Sequence, residues 1–529
     1  MLSYLVVAPI LIAVALYLSP FERAARIIAL CVQIGLVGAA FYLFRLVDYG
    51  VYTLPIGQYS YQNLTILLRA DSLSAAFILI TAFIYLVVVL FMFDDKQSRT
   101  FWFLLFIWQA ALMGIFLAGD LFNIFVLTEV ATTVVAILLM YNSKNRSMYD
   151  GIIYLMINVV VIQFFLLGLG YLYRVIGIMD FEAALAYSRA YDRSDLVLPY
   201  ALIMTFVALK CAFVPVFSWL PKAHGTPGAF PAVSAVLSGL HIKSAVYLFL
   251  RVQSLFEGMA MYEFYIVLGI VTSIVGFVFA LAQKDIKLIL AYHTISQIGL
   301  IMIGLNLNHV INYTGGLYHM FNHAFFKSLL FLCAGIIAHT YGTRNIYKIR
   351  GVFGKMPIVG IATMLGALGI TGAPFFNGSI SKYFIAYGQG GVLFWILAFI
   401  NLGTIVSFIK FTSMLWGKAD DNVIVNDNKW QQAAVLILGL LCLFGGVFGS
   451  QFIDFFFGID LKVDWVGYIE KSLIFLFTVG IGFMIYKYYL HRSAMLKYIG
   501  RVDLGFRAMC GAIGVFFAIM LIVTGIYYS

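Results

Sequence analysis

Apolar runs of about 20 residues recur from one end of the chain to the other, separated by short polar loops. Each is long enough to cross ~30 Å of hydrocarbon as a helix. The pattern predicts helices over 3–19, 24–44, 71–93, 101–118, 121–141 and 150–173, then over 197–219, 228–251, 262–283, 287–306, 313–340, 357–388 (interrupted), 393–416 and 431–457, and lastly over 467–487 and 508–527. That makes about sixteen spans, the last two appended to a main block. A membrane β-barrel would instead show strands of ~10 alternating residues, and these runs are too long and too uniform for that. The expected class is all-α, a polytopic membrane protein.

Four segments follow from the spacing: an N-terminal three-helix segment over 1–100, two five-helix blocks over 101–251 and 262–416, and C-terminal helices over 431–529. The longest polar stretches, near 45–70, 174–196 and 417–430, are too short for a soluble domain. The chain has no P-loop and no GxGxxG at a strand-to-helix junction, so any redox cofactor, nucleotide site or catalytic domain is expected on another chain.

Composition sharpens this picture in two ways. Hydrophobic residues make up 63% and charged residues 11% of 529 positions, and the formal charge is +10. In a soluble protein that charge would suggest nucleic acid; here the basic residues sit in short loops and read as topology signals. Placing Arg23 and Arg26 on the cytoplasmic side puts Lys96/Arg99, Lys144/Arg146, Lys284/Lys287, Arg344/Lys348/Arg350/Lys355 and Arg492/Lys497/Arg501/Arg507 there too. The opposite loops hold chiefly Arg45, Arg69, Arg174, Arg189 and Arg193, so both termini are expected outside, in the cell membrane. The first apolar run lacks a basic n-region and reads as a retained helix. Cys31, Cys211, Cys333, Cys442 and Cys510 are isolated, which suggests neither a disulfide framework nor a CxxC metal site.

The candidate chemistry lies in charges placed inside apolar sequence. A lysine at bilayer depth costs roughly 2.5–3.5 kcal/mol, so it should face a bundle interior or a wet cavity. Lys210 follows about a dozen apolar residues, and Pro215, Pro221, Pro227 and Pro231 then break the helix ladder, which hydrocarbon tolerates only where protein or water supplies partners. Glu129 sits a third to halfway into its helix and reads either as a functional acid or as a structural hydrogen bond to a neighbouring helix. With Glu129 on an adjacent helix, Lys210 could alternate between a paired, charged state and a released, neutral one, the alternative being that it snorkels to an interface. Asp120 and Asn123 read as capping groups of that helix. Lys243 lies mid-helix with His241 on another face, while Lys222 and His224 fall in the broken loop and could simply be solvated.

His319, His323 and Lys327 follow at i, i+4 spacing along one helix face. Two histidines so spaced could bind zinc, but no Glu follows the first and Lys327 would repel a cation, so no metal is expected; groups that protonate near neutral pH suit a proton relay better. Gly372, Pro374 and Gly378 break a second helix just before Lys382, and Lys410 lies inside the next span. A broken helix with a buried lysine thus appears twice, as expected of two inverted repeats with half-channels.

These pieces together resemble the antiporter-like membrane subunits of respiratory complex I, membrane-bound hydrogenases and the multisubunit Mrp sodium/proton antiporters. The matching stretches are Asp71-Ser-Leu-Ser, GDLFNIFVLTE ending at Glu129, the Lys210 helix with WLPKAH, SAVLSGLHIKSAVYLFLR around Lys243, QKDIKLILAYHTISQIG, HMFNHAFFKSLLFL and the interrupted segment ending at Lys382, in family order over about residues 65–415. GDLFNIFVLTE is most like the D-type subunit of Mrp antiporters. The resemblance implies a fourteen-helix core with two inverted repeats and a hydrated polar axis, with Glu129 and Lys210 driving proton movement, Lys243, His319 and His323 continuing it and Lys382 ending it. One departure stands out: the family carries WLPDAH where this chain has Lys222. The expected activity is translocation of protons, and of Na+ if the complex carries it, beside other membrane subunits and with no cofactor or nucleic acid on this chain. A stand-alone carrier for a small solute and a proton-coupled subunit for inorganic-carbon uptake are the alternatives.

Overall fold

In hydrocarbon every backbone N–H and C=O must find a partner within the fold, and helices are the simplest solution for a chain this apolar. The computed structural model describes residues 1–19, 22–56, 66–95, 97–142, 144–188, 192–421, 423–425, 427–490 and 493–528. Lys96, Arg189 and Arg492, read above as topology signals, lie outside them. Among the described residues, thirteen helices are long and apolar enough to cross a membrane, and two shorter apolar helices, Leu2–Leu18 and Pro357–Thr371, accompany them. The chain is a multi-pass membrane protein.

Several elements differ from the hydrophobic pattern for local reasons. The 197–219 run ends as a helix at Lys210, because the segment after it folds into turns before a short helix over Trp219–Gly225. The 431–457 run splits into Lys429–Val447 and Gly449–Phe457. The split follows Gly446, which lies so close to the other broken helix that an added Cβ would sit 2.1 Å from the Phe375 carbonyl oxygen. The polar stretch near 45–70 holds an antiparallel hairpin, Tyr52–Ile56 against Ile66–Ala70, that apolar periodicity could not show. The stretch near 174–196 holds the helix Phe181–Ser188.

Two broken helices position the interior. Arg193–Lys210 ends with Ala212 at φ 55°, and Pro357–Thr371 ends with Gly372 at φ 79° and Phe375 at φ 70° before Asn377–Ile385 begins. Ala212 and Phe375 are the two non-glycine residues with positive φ among the described residues, one at each break. Such backbone is costly for a residue with a side chain and persists where packing over-determines it. The first break is closed by Trp219, whose Nε1 donates to the Leu209 carbonyl at 2.7 Å. The second needs glycine, since a Cβ on Gly378 would lie 1.9 Å from the Gly369 carbonyl oxygen. Between them, the helix that carries His241 and Lys243 contains a π-turn over Leu237–His241.

The basic loops assigned above to one side meet there. Arg26 donates to the Phe93 carbonyl at 3.0 Å, Asp95 accepts from Gln431 at 3.4 Å, and Arg344 lies 3.8 Å from Asp285. On the other side Arg69 pairs with Glu182 at 2.8 Å, and Arg251 pairs with Asp71 at 2.7 Å.

Asp71 shows how these ends are fixed. It caps the helix Ser72–Phe91 by accepting from the Ser74 N–H at 2.9 Å. Burial works to raise its pKa, but the Arg251 hydrogen bond and charge and the Ser74 N–H bring it down to about 2 from 3.8. A carboxyl with a depressed folded pKa stabilises the fold above its unfolded value and loses that contribution as pH falls through the folded one. Asp71→Asn, which keeps a capping oxygen but no charge, should therefore cost about 2 kcal/mol at neutral pH. Thermal unfolding in detergent should show the gap from wild type narrowing as the pH drops below about 4 towards 2.

Candidate functional site

The first cluster grows from the helix Leu121–Met140. Asp120 starts it, accepting from Asn123 N at 2.6 Å and from Leu67 N at 3.0 Å, and burial pushes its carboxyl up. This is the capping role the sequence suggested. Two turns on, Glu129 is half-buried, and its shielded Oε1 has no hydrogen-bond partner among the described residues. Lys210 is within electrostatic reach of it but makes no direct ion pair; its Nζ donates to Thr132 Oγ1 and Asn158 Oδ1, both at 2.7 Å. Those acceptors are themselves held, Thr132 by donating to the Thr128 carbonyl at 2.7 Å and Asn158 by donating to the Tyr154 carbonyl at 2.8 Å.

The row continues inward. His241 also feels the Lys210 charge, and its Nδ1 accepts from Trp108 Nε1 at 3.3 Å. Two residues on, the Lys243 Nζ bonds to the Ser238 carbonyl of the π-turn and to Nδ1 of His323, and Nε2 of His323 is buried without a partner among the described residues. One turn away, His319 bridges Ser381 Oγ at 2.8 Å and Gln297 Oε1 at 2.9 Å. Lys382, on the element that carries Ser381, bonds to the Ile370 carbonyl at 2.7 Å and to Asn401 Oδ1 at 2.8 Å.

Two candidates sit beside this row. Lys327 donates to the Leu290 carbonyl at 2.6 Å, next to Phe331. Lys410 donates to the carbonyls of Ala280, Leu281 and Gln283 at 2.8–2.9 Å. All three ammonium protons are thereby engaged at the C-terminal end of the helix Tyr262–Ala282, where a cation also meets the negative end of the helix dipole.

Against this geometry stand the comparisons with known proteins. The profile of the family described as "NADH:quinone oxidoreductase/Mrp antiporter, TM" matches residues 118–409. The chain belongs to that family. It is 26% identical over 443 residues to the D-type subunit of the Na(+)/H(+) antiporter of Bacillus subtilis, covering 80% of this chain and 88% of that one. A chain in the structure of the Mrp complex from Dietzia sp. DQ12-45-1b superposes with a TM-score of 0.79 at 23% identity, covering 89% of this chain and 99% of that one. A chain of the membrane-bound sulfane sulfur reductase, an archaeal respiratory membrane complex, gives 0.79 at 21%, with coverage of 90% and 99%. The two structures share the fold.

The antiporter-family match spans Glu129 through Lys382 and stops one residue short of Lys410. Inside it lie partners that sequence reasoning did not single out: Thr132, Asn158, Gln297, Ser381 and Asn401 carry no charge and look like ordinary helix residues until their distances to the amines and imidazoles are known. His224 is no solvated loop residue; it is fully buried and stacks on Phe331 with centroids 4.3 Å apart. Lys222 bonds to Asp503 from the segment joining the last two helices, so the acid missing from the WLPDAH position arrives from outside the family match. A cavity of about 430 Å³ lies there, lined by Asp150, Lys222, Arg501 and Asp503. Another, of about 660 Å³, reaches Lys287 past Asp95, His339 and Arg344.

Removing an acceptor from a buried ammonium costs about 1.5–3 kcal/mol. Asn158→Leu should therefore lower the thermal midpoint of the purified chain in detergent. Combined with Lys210→Met, the loss should be smaller than the sum of the two single losses, because the ammonium that needed the acceptor is gone.

Proposed function

We propose that the chain is a proton- or cation-translocating, antiporter-like subunit of a multisubunit complex in the cell membrane, of Mrp type or a related respiratory type. What supports this reading is the set of ionisable side chains held inside the bundle: Lys243 bonded to His323, with Glu129 and Lys210, Lys210 and His241, and His319 and Lys382 within electrostatic range of one another. A fixed structural cation needs no such set, whereas proton passage does. The membrane partners and the sodium/proton chemistry come from the names of its relatives, the antiporter subunit of Bacillus subtilis among them.

In this reading Lys210 is the gate. When the Glu129 charge is present, Lys210 keeps its proton; when that charge is neutralised, the proton moves on towards His241 and Lys243. Two unit charges ~5 Å apart at an effective dielectric of ~20 interact by about 3 kcal/mol, enough to change proton occupancy about a hundredfold. Lys243 hands over to His323, and His319 connects that pair to Lys382. Residues 101–251 and 262–416 act as two half-channels, each with its broken helix. Lys327 stands as a side branch of the row, and Lys410 as the anchor of a helix end.

Glu129→Gln and Lys210→Ala, each in the assembled complex, should lower proton-coupled cation flux in vesicles by at least tenfold while the other membrane chains still co-purify. Full flux in either correctly assembled variant would sink the gate. Full activity of this polypeptide alone, without partners, would favour an independent carrier.

A further inference from the structure

Lys382 is not the last amine at its end of the row. The helix Trp465–Ile485 lies outside the family match and fully buries only Tyr468 and Gly482 among its described residues, yet it turns a short polar patch inward onto the second broken helix. The Tyr468 hydroxyl oxygen accepts from the Phe375 N–H and from Ser379 Oγ, both at 3.0 Å, which pins the appended helix to the break itself. One turn further on, Lys471 Nζ donates to the Tyr383 carbonyl at 3.1 Å and lies 4.6 Å from the centroid of that ring. Tyr383 directly follows Lys382 in the chain. Lys382 and Lys471 line one cavity of about 130 Å³ together with Ser379, Asn401, Thr404 and Tyr468. The rest of its lining is largely apolar, Leu397, Ile400 and Phe475 included, so the polar groups of these residues are the partners open to water in a space of that size.

We propose that Lys471 is the proton-bearing group that follows Lys382, so that the path leaves the chain between its core and the appended helix; this deepens the translocation reading above and rests on it. A proton released from the Lys382 ammonium crosses the shared cavity to the neutral Lys471 amine, leaving Lys382 neutral and ready to be reloaded from the row. The competing role is that of an anchor: Lys471 bonds a carbonyl in the last turn of Asn377–Ile385, where any fixed cation would hold the helix in place.

Arginine separates the two roles, because it keeps the charge, the donor and the ring contact but does not release its proton in a protein. The test compares Lys471→Arg, Lys471→Met and Lys382→Met in the full complex reconstituted in vesicles, with the make-up of the complex checked by size exclusion. The proposal expects proton-coupled flux to fall at least tenfold in both Lys471 variants while the Arg variant assembles normally. Wild-type flux in Lys471→Arg overturns it and leaves Lys471 an anchor, as does failure of that variant to assemble. Wild-type flux in Lys382→Met overturns the translocation reading itself. Loss in Lys382→Met with full flux in Lys471→Arg overturns the role of Lys471 alone.

Discussion

An ammonium group buried in this fold has to be solvated by the fold, and that requirement explains more of the architecture than any pairing of opposite charges. Glu129 is the acid whose charge acts on Lys210, yet the Lys210 Nζ bonds to Thr132 and Asn158 and not to that carboxylate. The amines turn to carbonyl, amide and hydroxyl oxygens, many of them oxygens that the backbone frees where a helix stops or loosens. Lys243 takes the Ser238 carbonyl at the π-turn, Lys382 takes Ile370 beside the second break, Lys287 takes Ala229 in the loop before Pro231, and Lys410 takes three at a helix end. Helix ends carry partial negative charge, so a broken helix and a buried lysine stabilise each other.

This coupling also suits a site that must change charge. A lysine locked to a carboxylate in a dry interior would hold its proton tightly, since separating the pair there is costly. A lysine held by neutral oxygens keeps hydrogen bonds in either protonation state, because a neutral amine still donates to them. In the proposed gate, Glu129 is the acid that modulates Lys210 at electrostatic range.

The membrane-spanning, all-α class, the two breaks and the buried charges are legible in the sequence, because charge, proline and glycine inside apolar runs are rare enough to stand out, whereas the count of about sixteen spans stands beside thirteen long apolar helices and two shorter ones among the described residues. Lys210, Lys243, His319, His323 and Lys382 prove to be buried or half-buried members of one interior. What stays hidden has a common cause. Asn158, Thr132, Gln297 and Asn401 are neutral residues whose role depends on which helix lies across from them, and periodicity within one helix carries no such information. The hairpin near residues 52–70 is hidden too, because strands this short and this exposed show no sustained alternation. Lys471 escapes notice because its position near the start of an apolar helix reads as a residue reaching for the interface; only the contact with Tyr383 gives it a place beside Lys382.

Lys222 and Asp503 stand 281 positions apart, and their bond forms only when both are in place. During synthesis Lys222 therefore lacks this counter-charge while the 281 following positions emerge. Pairing of the Lys222 ammonium is thus a late event in biogenesis, set by when the segment that carries Asp503 arrives.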